Sequence, residues 1–377
     1  MRPNAVIRFS KFEPNAHGHG GHKRTVQILE LLDSAQLHVI DFERTNDKKS
    51  VLHKLKFLLK ALKIIIKFKR FYGLISSFKE ARLIGHHLYS LETLLAKHKT
   101  KYEIKTFIWE YTWSSYWYIP LIARRLGLKI VVIPHNLESL VYSQRSHKPK
   151  KVLSPLWLDE EIEYLDYANK IFCISREEQW LLSLHINPNK VHYLPYNPPK
   201  ASLDFLMDVR SEREKQEQQA IVTVLGSAVN PPTLKGMKDL KKHLLEHNNK
   251  ELLFDFVGYG VNWVKEDHEI LPENIIMSES ISDAELREKL IKTSCVLVHQ
   301  IPSSGALTKI QEMQIAGIPV LVNSMGARSY YNLEGVYVYE TFSDLEVYLH
   351  DLTALKPPSL PEVKPIFETT FIECLIR

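Results

Sequence analysis

Along the chain, short runs of consecutive apolar residues alternate with stretches in which apolar residues return every three or four positions. The runs NAVIRF, LHVIDF, YEIKTFIWE, KIVVIPHN, NKIFCIS and KVHYLPYN occupy the first half. AIVTVLGS, LLFDFVGYG, NIIMSES, CVLVHQ, IPVLVN and VYVYE occupy the second. Such runs are the pattern of strands buried on both faces, and helical stretches such as HKRTVQILELL lie between them. Strands alternating with helices predict a parallel, doubly wound sheet, which binds ligands beyond the carboxyl ends of its strands. Two such sets in 377 residues predict two α/β domains rather than one core. The pattern lapses at residues 199–219, a polar, charge-rich stretch that begins in a pair of prolines. The expected division is therefore a first domain over 1–198, a linker over 199–219 and a second domain over 220–355. A tail over 356–377 carries IFETTFIECLIR, a short helix expected to cross back onto the first domain.

Composition narrows the setting. With 45% hydrophobic and 25% charged residues the chain is globular. The cysteines Cys173, Cys295 and Cys374 are odd in number and far apart, which argues against a disulfide framework and for a reducing, cytoplasmic compartment. MRPNAVIRF enters a strand with no export signal. No HExxH or paired Cys/His spacing occurs, so neither a metal nor any other cofactor is expected.

The net charge of +5 is unevenly spread, because Lys48 to Arg70 holds nine Lys or Arg and no acid. On a helix, Lys49, Lys56, Lys60, Lys63, Lys67 and Arg70 form one stripe. Leu55, Leu58, Leu59, Leu62, Ile65 and Ile66 fill much of the opposite side. Lysines interrupt the run too often for a spanning helix. The pattern predicts a basic amphipathic helix near 48–70, with Lys56, Lys60, Lys63 and Lys67 facing an anionic membrane surface. Its wide apolar face argues against nucleic acid as the partner.

Each half offers a glycine-bearing turn between a strand and a helix. In NAHGHGGHKRTV, Gly18, Gly20 and Gly21 allow the backbone to approach an acceptor or phosphate closely. In VLGSAVNPPTLKGMKDL, Gly226 and Ser227 follow a strand and Lys235 lies near the next helix. SSGALTKIQEMQIAGIPV reads as helix, turn and buried strand, with Ser303, Ser304 and Gly305 as capping material and Leu307, Ile310 and Met313 on the buried face. Lys309 and Glu312 lie together off that face.

The order of these segments, from GHGGHKRTVQILELL through PHNLESLVYS and VLGSAVNPPTLKGMKDL to CVLVHQIPSSGALTKIQEMQIAGIPVLVNSMGA, resembles the GT-B glycosyltransferases of retaining family 4, also called group 1. The resemblance spans roughly Asn4 to Leu352. It implies two Rossmann-like domains facing across a cleft, and transfer of a sugar from a nucleoside diphosphate to an acceptor hydroxyl with retention. Glu312 matches the second acid of the family's E-x7-E pattern and would bind ribose hydroxyls. The first acid falls on Ser304, a departure at the position that ordinarily touches the donor sugar. Lys309 matches a phosphate-binding lysine of one subgroup, whereas Leu307 replaces that subgroup's arginine. The diphosphate would sit near Ser304 and Gly305, and the base near the backbone of Tyr259.

His135, which ends a strand in IPHN, matches a histidine beside the transferred sugar. Glu110 and Glu138 are carboxylates near the same rim. Beside this resemblance, the basic helix suggests a lipid-linked or glycan acceptor in bacterial surface polysaccharide or glycolipid assembly, on the inner face of the cell membrane. Ser304 and Leu307 keep open a non-catalytic GT-B partner subunit, and an epimerase of similar architecture is a further alternative.

Overall fold

The computed structural model describes residues 2–43, 51–67, 74–141, 158–362 and 364–376. Six strands form the first sheet: β1 (Asn4–Phe9), β2 (His38–Asp41), β3 (Glu103–Trp109), β4 (Lys129–Val132), β5 (Lys170–Cys173) and β6 (Val191–Tyr193). Their order is β2-β1-β3-β4-β5-β6, and every pairing is parallel. The second sheet comprises β7 (Gln219–Leu225), β8 (Leu253–Val257), β9 (Ile275–Ser278), β10 (Thr293–Val298), β11 (Val320–Asn323) and β12 (Val336–Tyr339). It runs β12-β11-β10-β7-β8-β9, again wholly parallel. Each apolar run quoted above overlaps one of these strands, β7 and β10 beginning one and two residues before their runs. The strand order reverses between β1 and β3 and between β7 and β10, and such reversals open a crevice at the carboxyl edge.

Helices cover both faces of each sheet, so alternate strand residues enter different cores. Ile7, Phe107, Trp109, Ile130 and Val132 pack with α2 (Val51–Lys67), α3 (Leu74–His98) and α4 (Ile119–Arg125). Val6, Ile108, Val131 and Phe172 face α1 (Gly20–Ser34). Phe371 and Leu375 of α12 (Ile366–Ile376) complete that second cluster.

Residues 199–219, read from sequence as a linker, hold a helix, α7 (Lys200–Arg213). Its buried face is Ser202, Leu206, Val209 and Arg213, only half apolar. Leu206 and Val209 join the core of the second sheet, and Arg213 donates to the carbonyls of Leu290 at 2.6 Å and Thr293 at 2.7 Å.

The basic helix forms α2 and buries only part of its apolar side. Phe57, Ala61, Ile64 and Ile65 form its buried seam, whereas Leu55, Leu59 and Ile66 are 52%, 53% and 67% exposed. A Cβ at Gly85 of α3 would lie 2.9 Å from the Phe57 carbonyl oxygen, so the two helices approach closely and bury only a narrow stripe. Lys48, Lys49, Arg70 and the side chain of Lys67 lie outside the described residues.

Candidate functional site

The carboxyl edges of the two sheets meet. A Cβ at Gly305, in the loop after β10, would come within 2.3 Å of Asn136 Oδ1 and 2.9 Å of the His135 carbonyl oxygen after β4. Gly305 has φ +80°, a left-handed backbone suited to glycine, so this close approach needs the residue twice over.

On the first-domain side, Glu110 follows β3 and is fully buried. Its Oε1 accepts from Arg8 at 3.3 Å and its Oε2 from the Thr25 hydroxyl at 2.8 Å. Burial alone would raise the carboxyl, but the Arg8 guanidinium and the Thr25 hydroxyl oppose it, and Glu110 lies below its ordinary range. This locked, ionised carboxylate is poorly placed to serve as an acceptor base. His135 Nε2 stands 3.8 Å from Glu110 Oε2, beyond hydrogen-bond reach, and has no other partner among the described residues. The ring stacks on Phe12 with centroids 4.5 Å apart. Burial lowers its pKa despite the pull of Glu110, which favours a neutral imidazole.

Phe12 is also the reason for Gly21, where a Cβ would lie 2.8 Å from that ring, while a Cβ at Gly20 would lie 3.1 Å from Thr308 Oγ1. The space that these glycines leave is therefore taken by protein. His19 caps α1, its Nδ1 accepting from Gly21 N at 3.2 Å, and its ring lies 3.8 Å from that of His22.

On the second-domain side, the turn after β7 carries Gly226 and Ser227. Gly226 N donates to Val257 O at 3.0 Å and Ala228 N to Tyr259 O at 2.8 Å, tying this turn to the glycine turn after β8. Lys309 belongs to α10 (Thr308–Ile315) and donates to Leu225 O at 2.7 Å. A Cβ at Gly226 would lie 2.7 Å from its Nζ. Burial pulls the Lys309 pKa down to about 8, against an upward pull from Glu312. Lys309, Gly226, Ser227 and the exposed Tyr259 are thus gathered at the second reversal of strand order. Lys235 is not among them. It stands half-exposed on α8 (Pro231–Glu246), paired with Asp239 at 3.4 Å.

The loop before α10 departs from expectation. The helix begins at Thr308 with Leu307 in the capping position, three residues beyond Gly305. Ser304 and Gly305 turn instead to Glu178 on α6 (Arg176–His185), which accepts from the Ser304 hydroxyl and from Gly305 N at 2.9 Å. Leu137 N donates both to Glu178 Oε1 at 2.8 Å and to Ser304 Oγ at 2.9 Å. Burial pushes the Glu178 carboxyl up, opposed by these donors. On α5 (Leu158–Asp166), Glu161 accepts from Glu138 N and Ser139 N, each at 2.8 Å, and burial pushes it up to about 7. Glu138 itself is buried.

Glu312 is buried on α10 and its partners come from the first domain. Lys23 Nζ lies 2.9 and 2.8 Å from its two oxygens, and the Tyr196 hydroxyl donates to Oε1 at 2.8 Å. A carboxylate has about four lone-pair positions, so three are in use and one remains. Neither Lys23, Tyr196 nor Glu178 was singled out by the sequence pattern. The one local signal was Ser175 followed three residues later by Glu178, and Glu178 N does donate to Ser175 Oγ at 3.1 Å. No cluster of metal-ligating side chains is formed among the described residues.

No protein-family model matches the chain, and a search of curated proteins returns no match. Solved structures do match over nearly the whole length. Sucrose-phosphate synthase from Thermosynechococcus elongatus shares 13% identity at a TM-score of 0.58, covering 99% of this chain and 94% of that one. Anabaena HepE, in complex with UDP and glucose, shares 11% at 0.55, covering 94% and 91%. WaaG, a glycosyltransferase involved in lipopolysaccharide biosynthesis, shares 12% at 0.52, covering 98% and 94%. Two facing, doubly wound parallel sheets with this coverage define the GT-B fold, the architecture of these glycosyltransferases.

Proposed function

We propose that the protein transfers a sugar from a nucleoside diphosphate sugar to an acceptor hydroxyl, with retention at the anomeric carbon. The observation that carries this reading is Lys309, a buried ammonium set against the Gly226 turn at a reversal of strand order. A buried cation with only a carbonyl as its direct hydrogen-bond partner favours an arriving anion, and a diphosphate meets that need. Gly226 and Ser227 would line the phosphates, the Tyr259 turn the base, and Glu312 the ribose, its hydroxyls exchanging with Lys23. His135, neutral and with an unpartnered Nε2, would face the transferred sugar. The leaving phosphate takes the acceptor's proton, so catalysis rests on holding donor and acceptor together and on stabilising the departing charge. The acceptor is lipid-linked or a glycan, and the setting is bacterial surface polysaccharide or glycolipid assembly in the cytoplasm. HepE, in complex with UDP and glucose, supports the donor class, and WaaG, involved in lipopolysaccharide biosynthesis, supports the setting.

A second reading, a non-catalytic partner subunit, is favoured by the occupied state of Glu312 and by the turn of Ser304 to Glu178. A thermal-shift screen with UDP, GDP and ADP separates the two. A nucleotide at 100 times its dissociation constant stabilises the protein by about 2.7 kcal/mol. Lys309→Ala should abolish that shift while leaving any weak nucleoside effect. A flat response to all three nucleotides would overturn the transferase reading in favour of the partner subunit.

A further inference from the structure

The solvent side of α2 carries two stripes, not one. Leu55, Leu59 and Ile66, at spacings of four and seven, are at least half-exposed, and Lys56 and Lys63 run beside them. Arg125, at the end of α4, joins this face from a different part of the chain. Leu55, Lys56, Leu59, Lys60, Lys63 and Arg125 line a groove of about 400 Å³. Lys60 is committed, paired with Glu92 at 2.9 Å and lying 4.7 Å from the centroid of the Phe57 ring. Lys56, Lys63 and Arg125 have no acidic partner among the described residues. No helix among the described residues is long and apolar enough to cross a membrane.

An exposed leucine row is costly in water, and unpaired cations beside it repel a purely apolar partner. The two together fit a surface that is apolar below and anionic above. We propose that the groove between α2 and α4 docks on an anionic lipid bilayer, with Leu55, Leu59 and Ile66 entering the acyl boundary and Lys56, Lys63 and Arg125 engaging headgroup phosphates. On sequence alone the contact was assigned to Lys56, Lys60, Lys63 and Lys67, with the leucines on the opposite side of the helix. In the structure both stripes belong to the contact, and Arg125 replaces Lys60 in it. A nucleic acid would engage the cations but has no use for the leucines. The docking surface lies on the first domain and does not depend on the transfer reaction.

The test is flotation of the full chain with vesicles of phosphatidylcholine, with and without 30% phosphatidylglycerol. The parent should float with the anionic vesicles and not with the neutral ones. Lys56→Gln, Lys63→Gln and Arg125→Gln together should weaken binding by about 100-fold, each cation contributing about fivefold near the surface. Leu55→Ser with Leu59→Ser, which keeps every charge, should weaken it by at least about tenfold. The response of each variant to UDP in thermal shift, compared with the parent's, reports the donor site separately, and its unfolding curve reports the fold. A parent that ignores anionic vesicles overturns the proposal. So does a leucine variant that binds as the parent does, which would leave a general polyanion surface. Loss of vesicle binding in both folded variants supports it, whatever the parent's response to nucleotide.

Discussion

Ser304→Glu restores the acid at the first position of E-x7-E, and the structure argues that this chain will not tolerate it. The Ser304 hydroxyl donates to Glu178, which is fully buried and already accepts from Gly305 N and Leu137 N. A glutamate at 304 replaces a donor by a second acceptor and sets two carboxylates about 4 Å apart, worth about 4 kcal/mol of repulsion at an effective dielectric of about 20. The lost charge-assisted hydrogen bond adds about 1.5–3 kcal/mol. Uptake of one proton by the pair relieves part of this, at about 1.4 kcal/mol for each pH unit above its pKa. The net loss should be about 3–5 kcal/mol at pH 8 and clearly smaller at pH 5.5.

The sign follows from Glu178, whose pKa burial already raises in the folded state. Stability tied to a raised carboxyl is present at low pH and lost as pH rises through the folded value, and a neighbouring acid widens that window. Urea unfolding at the two pH values measures it, with a midpoint lowered by more than about 1 M at pH 8 for a slope of about 3 kcal/mol/M. Adding Glu178→Gln should recover most of the loss, since the two positions are directly coupled. A Ser304→Glu protein as stable as the parent at both pH values, or a loss that does not change with pH, would refute the reasoning.

Three further outcomes are expected. Glu312→Gln should keep the fold and weaken UDP binding by about tenfold or more in calorimetry, because a neutral amide is a poorer acceptor for ribose hydroxyls; unchanged affinity would remove Glu312 from the donor site. Lys309 has a pKa of about 8 in the free protein, so diphosphate binding must restore its proton at higher pH, and UDP affinity should fall by about tenfold per unit above that value. A flat profile between pH 7 and 10 would place the lysine away from the phosphates. His135→Ala should lower turnover while UDP affinity stays near that of the parent, the pattern of an interaction made chiefly in the transition state, whereas full activity would return the ring to a packing role.

What the sequence disclosed was whatever repeats locally. The strands were legible because both faces of each sheet are covered, so stretches such as Val320–Val322 are buried at every position and read as apolar runs. The start of α10 was misplaced because Ser304 and Gly305 are good capping residues by composition. Their partner, Glu178, lies more than 120 residues away and claims them for the first domain. α7 escaped notice because half of its buried face is Ser202 and Arg213, the latter donating through one guanidinium nitrogen to carbonyls of the second sheet's unit. Lys23 and Tyr196 each stand alone in their segments, and only the closed arrangement of the domains brings them to Glu312. Gly226 and Lys309 were both singled out, yet their contact is a tertiary fact that no spacing encodes.

The position of α12 also bears on how the molecule is made. Phe371 and Leu375 fill a face of the first sheet whose other members end near Leu194. Burying an aromatic side chain such as Phe371 contributes about 1.5–3 kcal/mol, so the first domain lacks part of its stabilisation until this helix arrives. At about 5–20 residues per second, the roughly 180 residues between Leu194 and α12 take about 10–35 s to synthesise. Throughout that interval Phe172, whose ring meets that of Phe371 edge-on with centroids 5.0 Å apart, lacks this part of its cover on the nascent chain, whereas the second domain's core closes at Leu355, before α12 is made. The unit that starts first is therefore finished last, and a chaperone that shields this face during translation would act on the first domain and have no comparable task on the second.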